Sequence, residues 1–154
     1  TIKFVSKNPY RIKVTGRIKH YISAFGEHVI AEEVERAIVK TSNVVGGEVK
    51  EFTVAPMVTP TNGLPYHEWL IDFAQAPKDL AAFAKHLDCE MIAQNIYYKD
   101  LIDGQILQPL KISVINSSGF NAYMESQGKL GGQNKIPKLT NDRKIADFLQ
   151  DFKQ

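Results

Sequence analysis

The chain has 154 residues, of which 44% are apolar and 10% aromatic, and its formal net charge is +2. This composition fits one globular domain with a hydrophobic core and excludes a disordered tail. The small net charge argues against nucleic-acid binding by bulk electrostatics.

The single cysteine, Cys89, excludes an intramolecular disulfide and a zinc site built from thiolates. We expect it to be a core or half-buried thiol. No stretch approaches the roughly 20 apolar residues of a membrane-spanning helix, and no signal-peptide pattern opens the chain. We therefore expect a cytoplasmic protein with neither a membrane nor a nucleic acid as partner.

The first part of the chain reads as short strands followed by a helix. Strands are predicted at residues 2–5 and 11–15, with turn chemistry at Lys7-Asn8-Pro9-Tyr10, and at residues 21–24. Apolar spacing of three and four predicts a helix from about residue 31 to residue 42, ended by Asn43 and the Gly46-Gly47 pair.

The rest of the chain adds a long hairpin, a strand and three helices. The hairpin is predicted at residues 49–58 and 66–74, a helix from Pro77 to about residue 94, and a buried strand at residues 110–115. Helices at 120–127 and 142–152 follow, the last with Thr140 or Asn141 as its cap. The predicted fold class is α+β, with a small mixed sheet, a long hairpin and flanking helices.

Two cations on one side of an extended segment form the first candidate site. In Gly16-Arg17-Ile18-Lys19-His20, Arg17 and Lys19 alternate and therefore point the same way. Such a pair suits phosphate or carboxylate binding. A solvated strand edge, on which lysine discourages unwanted pairing, explains the same pattern.

A glycine-rich basic loop forms the second candidate site. It runs from Gly128 through Gly131-Gly132-Gln133-Asn134-Lys135-Ile136-Pro137-Lys138. A pliable loop of this kind can bring a lysine into a distant active site and neutralise charge that develops on a phosphate. A flexible basic surface loop is the alternative. The four histidines are scattered, so we expect no metal site.

These motifs resemble the hinge and closing segments of adenylate-forming enzymes. Gly16-Arg17-Ile18-Lys19, Gly26-Glu27 and Glu32-Glu33-Val34-Glu35 are similar to the hinge motif of that superfamily. The closer resemblance is to the Gretchen Hagen 3 family of acyl-acid amido synthetases, the auxin-responsive promoter family, in its bacterial form. It is carried by the segment from His20 to His28 and by the segment from Gly131 to Leu139 followed by Asn141-Asp142-Arg143.

The resemblance implies a reaction in two halves. ATP with magnesium and a carboxylic acid give an acyl-adenylate, and an amine, often an amino acid, then gives the amide, with rotation of the C-terminal domain between the two. The resemblance implies that Lys19 falls at the hinge and Arg17 near the nucleotide. It implies that Lys135 meets the phosphates or the reacting carboxylate during adenylation, and that Lys138 binds the nucleotide. The turn Phe25-Gly26-Glu27 would face the active site in the second half-reaction.

The resemblance also implies that residues 1–154 are a single C-terminal lid domain. The chain opens in a strand pattern without methionine, which suggests a fragment without its larger N-terminal adenylation domain, and we expect it to be inactive alone. Lys138 stands where the family more often has arginine, so bidentate contact would be lost. Two alternatives stay open: the lid of an enzyme that transfers the acyl group to coenzyme A, and an α+β interaction module without catalysis.

Overall fold

Seven strands and five α-helices make up the part of the chain that the structure, a computed structural model, describes: residues 2–14, 21–128 and 135–154. The strands are β1 (Ile2–Lys7), β2 (Tyr10–Val14), β3 (Tyr21–Ile22), β4 (Val29–Ile30), β5 (Glu48–Met57), β6 (Tyr66–Gln75) and β7 (Lys111–Val114). The helices are α1 (Ala31–Val45), α2 (Leu80–Gln94), α3 (Ile96–Asp103), α4 (Gly119–Ser126) and α5 (Lys144–Leu149), and a 3-10 turn follows at Gln150–Phe152.

A three-stranded mixed sheet with the order β5-β6-β7 organises the fold. β5 and β6 form an antiparallel hairpin in which Val54 lies opposite Trp69. β7 pairs with β6 in parallel, and α2 and α3 form the connection that a parallel pair requires. β1 pairs with β2, and β3 with β4, as two small antiparallel sheets.

Both faces of the central sheet are covered, because successive strand residues point to opposite sides. On one face, Trp69 and Ile71 pack with Val34 of α1 and Phe83 and Leu87 of α2, in what we call the first core. On the other face, Leu70 packs with residues of α4 and α5, in what we call the second core. This second core contains Ala55, Leu70, Ile115, Phe120, Ile136, Ile145, Ala146 and Leu149.

Later segments of the chain cover both edges of the central sheet. The backbone N–H of Val54 donates to Lys138 O, and that of Thr140 donates to Val54 O, both at 3.0 Å, which lays residues 138–140 along β5. At the other edge, the N–H of Gln154 donates to Val114 O at 3.0 Å. Neither edge strand is therefore left as an open template for pairing.

The predicted α+β class and the long hairpin are confirmed. Several boundaries differ. Pro77 does not open α2, because the side chain of Asp79 accepts from the N–H of Ala82 and starts the helix at Leu80. Asn43 lies inside α1, which runs to Val45 and has Gly46 as its C-cap.

Three further expectations from the sequence are corrected. α3 was not predicted, although Asn95 both ends α2 and caps α3 by accepting from the N–H of Tyr98. The last helix begins at Lys144, and neither Thr140 nor Asn141 caps it. Cys89 is exposed on α2 rather than buried. In the described ranges, no helix has the length and apolar character needed to cross a bilayer.

Candidate functional site

Lys135 lies at the rim of a cleft of about 280 Å³ on the second face of the central sheet. The cleft is lined by residues of β5, β6 and α4 and by the segment after the glycine-rich loop: Lys50, Glu51, Asp72, Ser117, Phe120, Asn121, Met124, Lys135 and Ile136. Ile136 is buried in the second core, so the backbone beside Lys135 is held while its ammonium is exposed.

Two other cations that the structure describes near this cleft, Lys50 and Lys138, are each paired with a carboxylate. Lys50 Nζ lies 3.4 Å from a carboxylate oxygen of Asp72, which is itself almost fully buried. Lys138 forms an ion pair with Glu51, and its Nζ lies 4.4 Å from the centre of the Phe52 ring, a cation–π distance. Among the residues that the structure describes, none forms an ion pair with Lys135, so its charge is available to an anionic ligand.

The turn Phe25-Gly26-Glu27 lies between β3 and β4 and is fixed from inside the molecule. Gly26 has φ = +92°, a conformation that favours glycine. Glu27 is fully buried: one carboxylate oxygen lies 2.9 Å from His67 Nε2, and the other accepts from the N–H of Phe25 at 2.8 Å. Glu27 therefore holds the shape of the turn, while Gly26 presents its backbone to the outside.

Burial and hydrogen bonding act in opposite directions on Glu27. Desolvation alone would raise the pKa of this carboxyl, but the hydrogen bonds from His67 and from backbone N–H groups outweigh it and hold the pKa below the usual value. Glu27 is thus a carboxylate at neutral pH. The ring of its partner His67 lies 5.3 Å from the ring of Tyr98 in a tilted arrangement, and the Tyr98 hydroxyl donates to Asp88 at 2.7 Å. Burial and the neighbouring Asp88 raise the pKa of Tyr98, which keeps its hydroxyl protonated as a donor.

Of the two segments singled out in the sequence, the structure describes only the second, at Gly128 and from Lys135 onward. Lys135 and Lys138 lie three residues apart in one segment; Lys138 is paired with Glu51, whereas no described residue forms an ion pair with Lys135. Arg17 and Lys19, with the predicted hinge, lie outside the described residues. Over the described ranges, no cluster of histidine, cysteine and acidic side chains could hold a metal ion.

Sequence reasoning missed the residues that support these segments. His67 was recognised only as one residue of a strand, since nothing in the sequence links it to Glu27, 40 positions away. Asp72 was recognised only as a residue of the same predicted strand, without a role. The only local signal was a charged or polar side chain inside an otherwise apolar strand, which indicates a buried partner.

Comparison with known proteins identifies the family. Residues 32–144 match the model of the GH3 family C-terminal domain. This match spans well over half of the chain, so the chain belongs to the GH3 family, and the resemblance to the Gretchen Hagen 3 synthetases is confirmed. No curated protein matches the chain by sequence.

Solved structures show the same fold. The chain is similar to a structure described as "GH3.15 acyl acid amido synthetase", with a TM-score of 0.77 and 14% identity over 99% of this chain. A second one, "AtGH3.15 acyl acid amido synthetase in complex with 2,4-DB", gives a TM-score of 0.75 and 13% identity over 99% of this chain. The chain spans only 30% and 29% of the length of those two proteins.

Proposed function

We propose that this chain is the mobile C-terminal lid domain of an ATP-dependent acyl-acid amido synthetase. The parent enzyme would adenylate a carboxylic acid with ATP and magnesium and then form an amide with an amine or amino acid. Membership of the GH3 family supports this proposal, and so does the length of the structural neighbours, which leaves room for a larger N-terminal adenylation domain. That domain is the proposed partner and would bind most of the nucleotide.

The observation that carries the proposal at the level of chemistry is the exposed ammonium of Lys135, which forms no ion pair with any residue that the structure describes. An ammonium that is not neutralised by a neighbour can stabilise the negative charge that develops on phosphate oxygens during adenylation. Its anchoring at Ile136 limits the conformational freedom that would be lost when it engages the nucleotide. The proposed role of Lys138 is weaker, because Glu51 already occupies its charge.

The turn Phe25-Gly26-Glu27 is proposed to face the active site in the amide-forming step. A glycine at its tip leaves the backbone open to close approach by a substrate, and the buried Glu27–His67 pair keeps that backbone in place. In this proposal Glu27 positions the turn and does not contact the substrate.

The test uses the full-length parent enzyme and a panel of carboxylic acids. ATP-dependent pyrophosphate release should be acid-dependent in the wild type and fall by about 10²–10³-fold in Lys135→Ala, as for the loss of one charge-stabilising donor. Lys85→Ala is the matched control, because Lys85 is exposed on α2, away from the cleft. Release that is unchanged in Lys135→Ala would remove the assigned role of this lysine.

Two further outcomes address the function itself. The purified 154-residue chain should release no pyrophosphate, and detectable release would contradict its role as a lid that needs a partner domain. If the parent adenylates an acid but passes it to coenzyme A rather than to an amine, the lid belongs to a thioester-forming enzyme. If no acid on the panel is adenylated, the result favours a non-catalytic interaction module as the function of this chain.

A further inference from the structure

The side chain of Asn141 joins two segments that are far apart in the sequence. Its Nδ2 donates to the carbonyl oxygen of Tyr21 at 2.6 Å, and its Oδ1 accepts from the N–H of Ser23 at 2.9 Å. The carboxamide thus offers one donor and one acceptor to the edge of β3, as the backbone of a neighbouring strand would. The contact spans 118 positions to Ser23.

Each of the two joined segments has its own anchor on the central sheet. The turn Phe25-Gly26-Glu27 is held on β6 by the Glu27–His67 contact. The segment that follows Lys135 is held on β5, where Lys138 and Thr140 bond to Val54.

The two anchors lie close together on the sheet. Pro56 lies opposite His67, and Val54 lies opposite Trp69, so the anchors are two residues apart along the strands, roughly 7 Å. Asn141 closes these contacts into a ring. The turn contacts β6, β6 pairs with β5, β5 bonds to residues 138–140, and Asn141 bonds back to Ser23 beside the turn.

We propose that Asn141 is a positioning residue that fixes the Phe25-Gly26-Glu27 turn relative to the Lys135 segment. This inference rests on the proposed function, because that function assigns the Lys135 segment to adenylation and the Phe25-Gly26-Glu27 turn to amide formation. With the ring closed, both surfaces belong to one rigid body, and rotation of the whole domain exchanges them at the active site. Without Asn141, the turn keeps the Glu27–His67 contact and the burial of Ile22 and Val29 in the first core, but it loses its direct bond to the segment that follows Lys135.

Asn141 suits a positioning role because it adds little to the core. Its side chain is exposed and belongs to neither the first nor the second core. Truncating it removes almost no buried apolar surface, so global stability and the position of the turn can be measured separately.

The first test follows backbone amide exchange by NMR in the 154-residue chain. In Asn141→Ala the amide of Ser23 should exchange about tenfold faster, as expected for one lost hydrogen bond, with a nearly unchanged unfolding temperature. Asn62→Ala, an asparagine in the exposed β5–β6 loop, should leave Ser23 unchanged. Unchanged exchange at Ser23 in Asn141→Ala would overturn the proposal.

The second test separates the two half-reactions in the parent enzyme. Asn141→Ala should slow amide formation from the preformed adenylate by about tenfold or more, as expected for a displaced active-site surface, and pyrophosphate release by much less. An equal loss in both steps that follows the loss of stability would show a merely structural role and overturn the proposal.

A conservative variant adds a measurement, the pH dependence of amide formation, that would not change if Asn141 had a purely structural role. Asn141→Asp keeps the acceptor for Ser23 but loses the donor to Tyr21 O until the introduced carboxyl is protonated. Amide formation relative to wild type should therefore recover as pH falls, and a pH-independent ratio would count against the proposal. If the wild-type parent makes no adenylate, the proposed function fails, whereas the exchange measurement on Ser23 still decides whether Asn141 holds the turn.

Discussion

Glu68 is a buried carboxylate with three side-chain partners. It is 3% exposed on β6, and its carboxylate accepts from Arg143 at 2.7 Å, from Lys153 at 2.8 Å and from Ser113 at 2.6 Å. Burial works to raise its pKa, but these three partners outweigh burial and lower the pKa to about 2. One carboxylate thus joins β6 to β7, to α5 and to the last residues of the described chain.

The first prediction concerns the pH dependence of stability through Glu68. Because its pKa falls from 4.5 to about 2 on folding, the ionised carboxylate stabilises the fold above about pH 4.5, and this stabilisation is lost as pH falls toward 2. The shift corresponds to roughly 3 kcal/mol. In urea unfolding, Glu68→Gln should be less stable than wild type by about that amount at neutral pH, and the difference should shrink on acidification.

Glu32→Gln is the control for this prediction. Glu32 forms an exposed pair with Arg36 on α1, and exposed pairs contribute less than about 1 kcal/mol. A pH-independent difference between wild type and Glu68→Gln would show that Glu68 acts through packing rather than through its charge.

At the scale of single residues, features that depend on neighbouring residues could be recognised in the sequence, and contacts between distant residues could not. Lys135 was singled out by the glycine-rich basic loop and by the family resemblance, whereas its residue pattern alone is equally explained by a flexible surface loop, and its role stays a prediction. The pairing of Lys138 with Glu51 could not be predicted, because the two are 87 positions apart and meet only when residues 138–140 lie along β5. The same holds for Asn141 and Ser23.

At the scale of elements, α4 shows how closely the second core is packed. Gly119 is its first residue, and a β-carbon there would lie 2.7 Å from Ile115 Cγ2 and 2.9 Å from Phe152 Cβ. Both distances are shorter than any relaxed contact. The glycine lets α4 approach β7 and the 3-10 turn, and this approach places Phe120 in the wall of the Lys135 cleft.

The second prediction is that Gly119→Ala destabilises the chain although alanine is the better helix former. The gain in helix propensity is about 1 kcal/mol, whereas overpacking costs about 1–3 kcal/mol at a site where both neighbours are held by the core. Thermal unfolding should show a lower midpoint. Asn121→Ala, on the exposed side of the same helix, should change stability by less than about 0.5 kcal/mol. A stabilised Gly119→Ala variant would mean that α4 can move away from β7 at little cost.

Helix and strand types were predictable from apolar spacing, but element ends depended on single side chains. Asp79 rather than Pro77 starts α2, because its carboxylate accepts a backbone N–H that would otherwise be unpaired. α3 escaped prediction because Asn95 lets one helix follow another without a glycine or proline between them. The long β5–β6 hairpin was predictable because its apolar run and its turn residues agree.

At the scale of the whole molecule, two cores share one sheet. Trp69 lies in the first core and is fully buried, and Leu70, the next residue, lies in the second core. Loss of packing on either face therefore acts on the same strand. We expect the described fold to unfold as one cooperative unit.

The third prediction tests this coupling with Leu149→Ala. Leu149 is fully buried in the second core, and its truncation should cost about 2–5 kcal/mol. The fluorescence of Trp69, the single tryptophan, reports on the first core. The unfolding transition followed by Trp69 fluorescence should shift to lower denaturant concentration together with the transition followed by far-UV circular dichroism. Leu80→Ala, at an exposed position on α2, should shift neither by more than about 1 kcal/mol. A Trp69 transition that stays in place would show that the two faces unfold independently.

The neighbouring residues His67 and Glu68 have a consequence for how β6 finds its alignment. Beyond them the strand is apolar and buried on both faces at Trp69, Leu70 and Ile71, so hydrophobicity alone hardly distinguishes the native pairing from one shifted by a residue. A shift by one residue in one direction would bring the carboxylate of Glu68 toward that of Glu27, and a shift in the other direction would bring the imidazole of His67 toward Arg143 and Lys153. His67 and Glu68 therefore specify the register of β6 through their polar and charged partners, where hydrophobic burial alone does not.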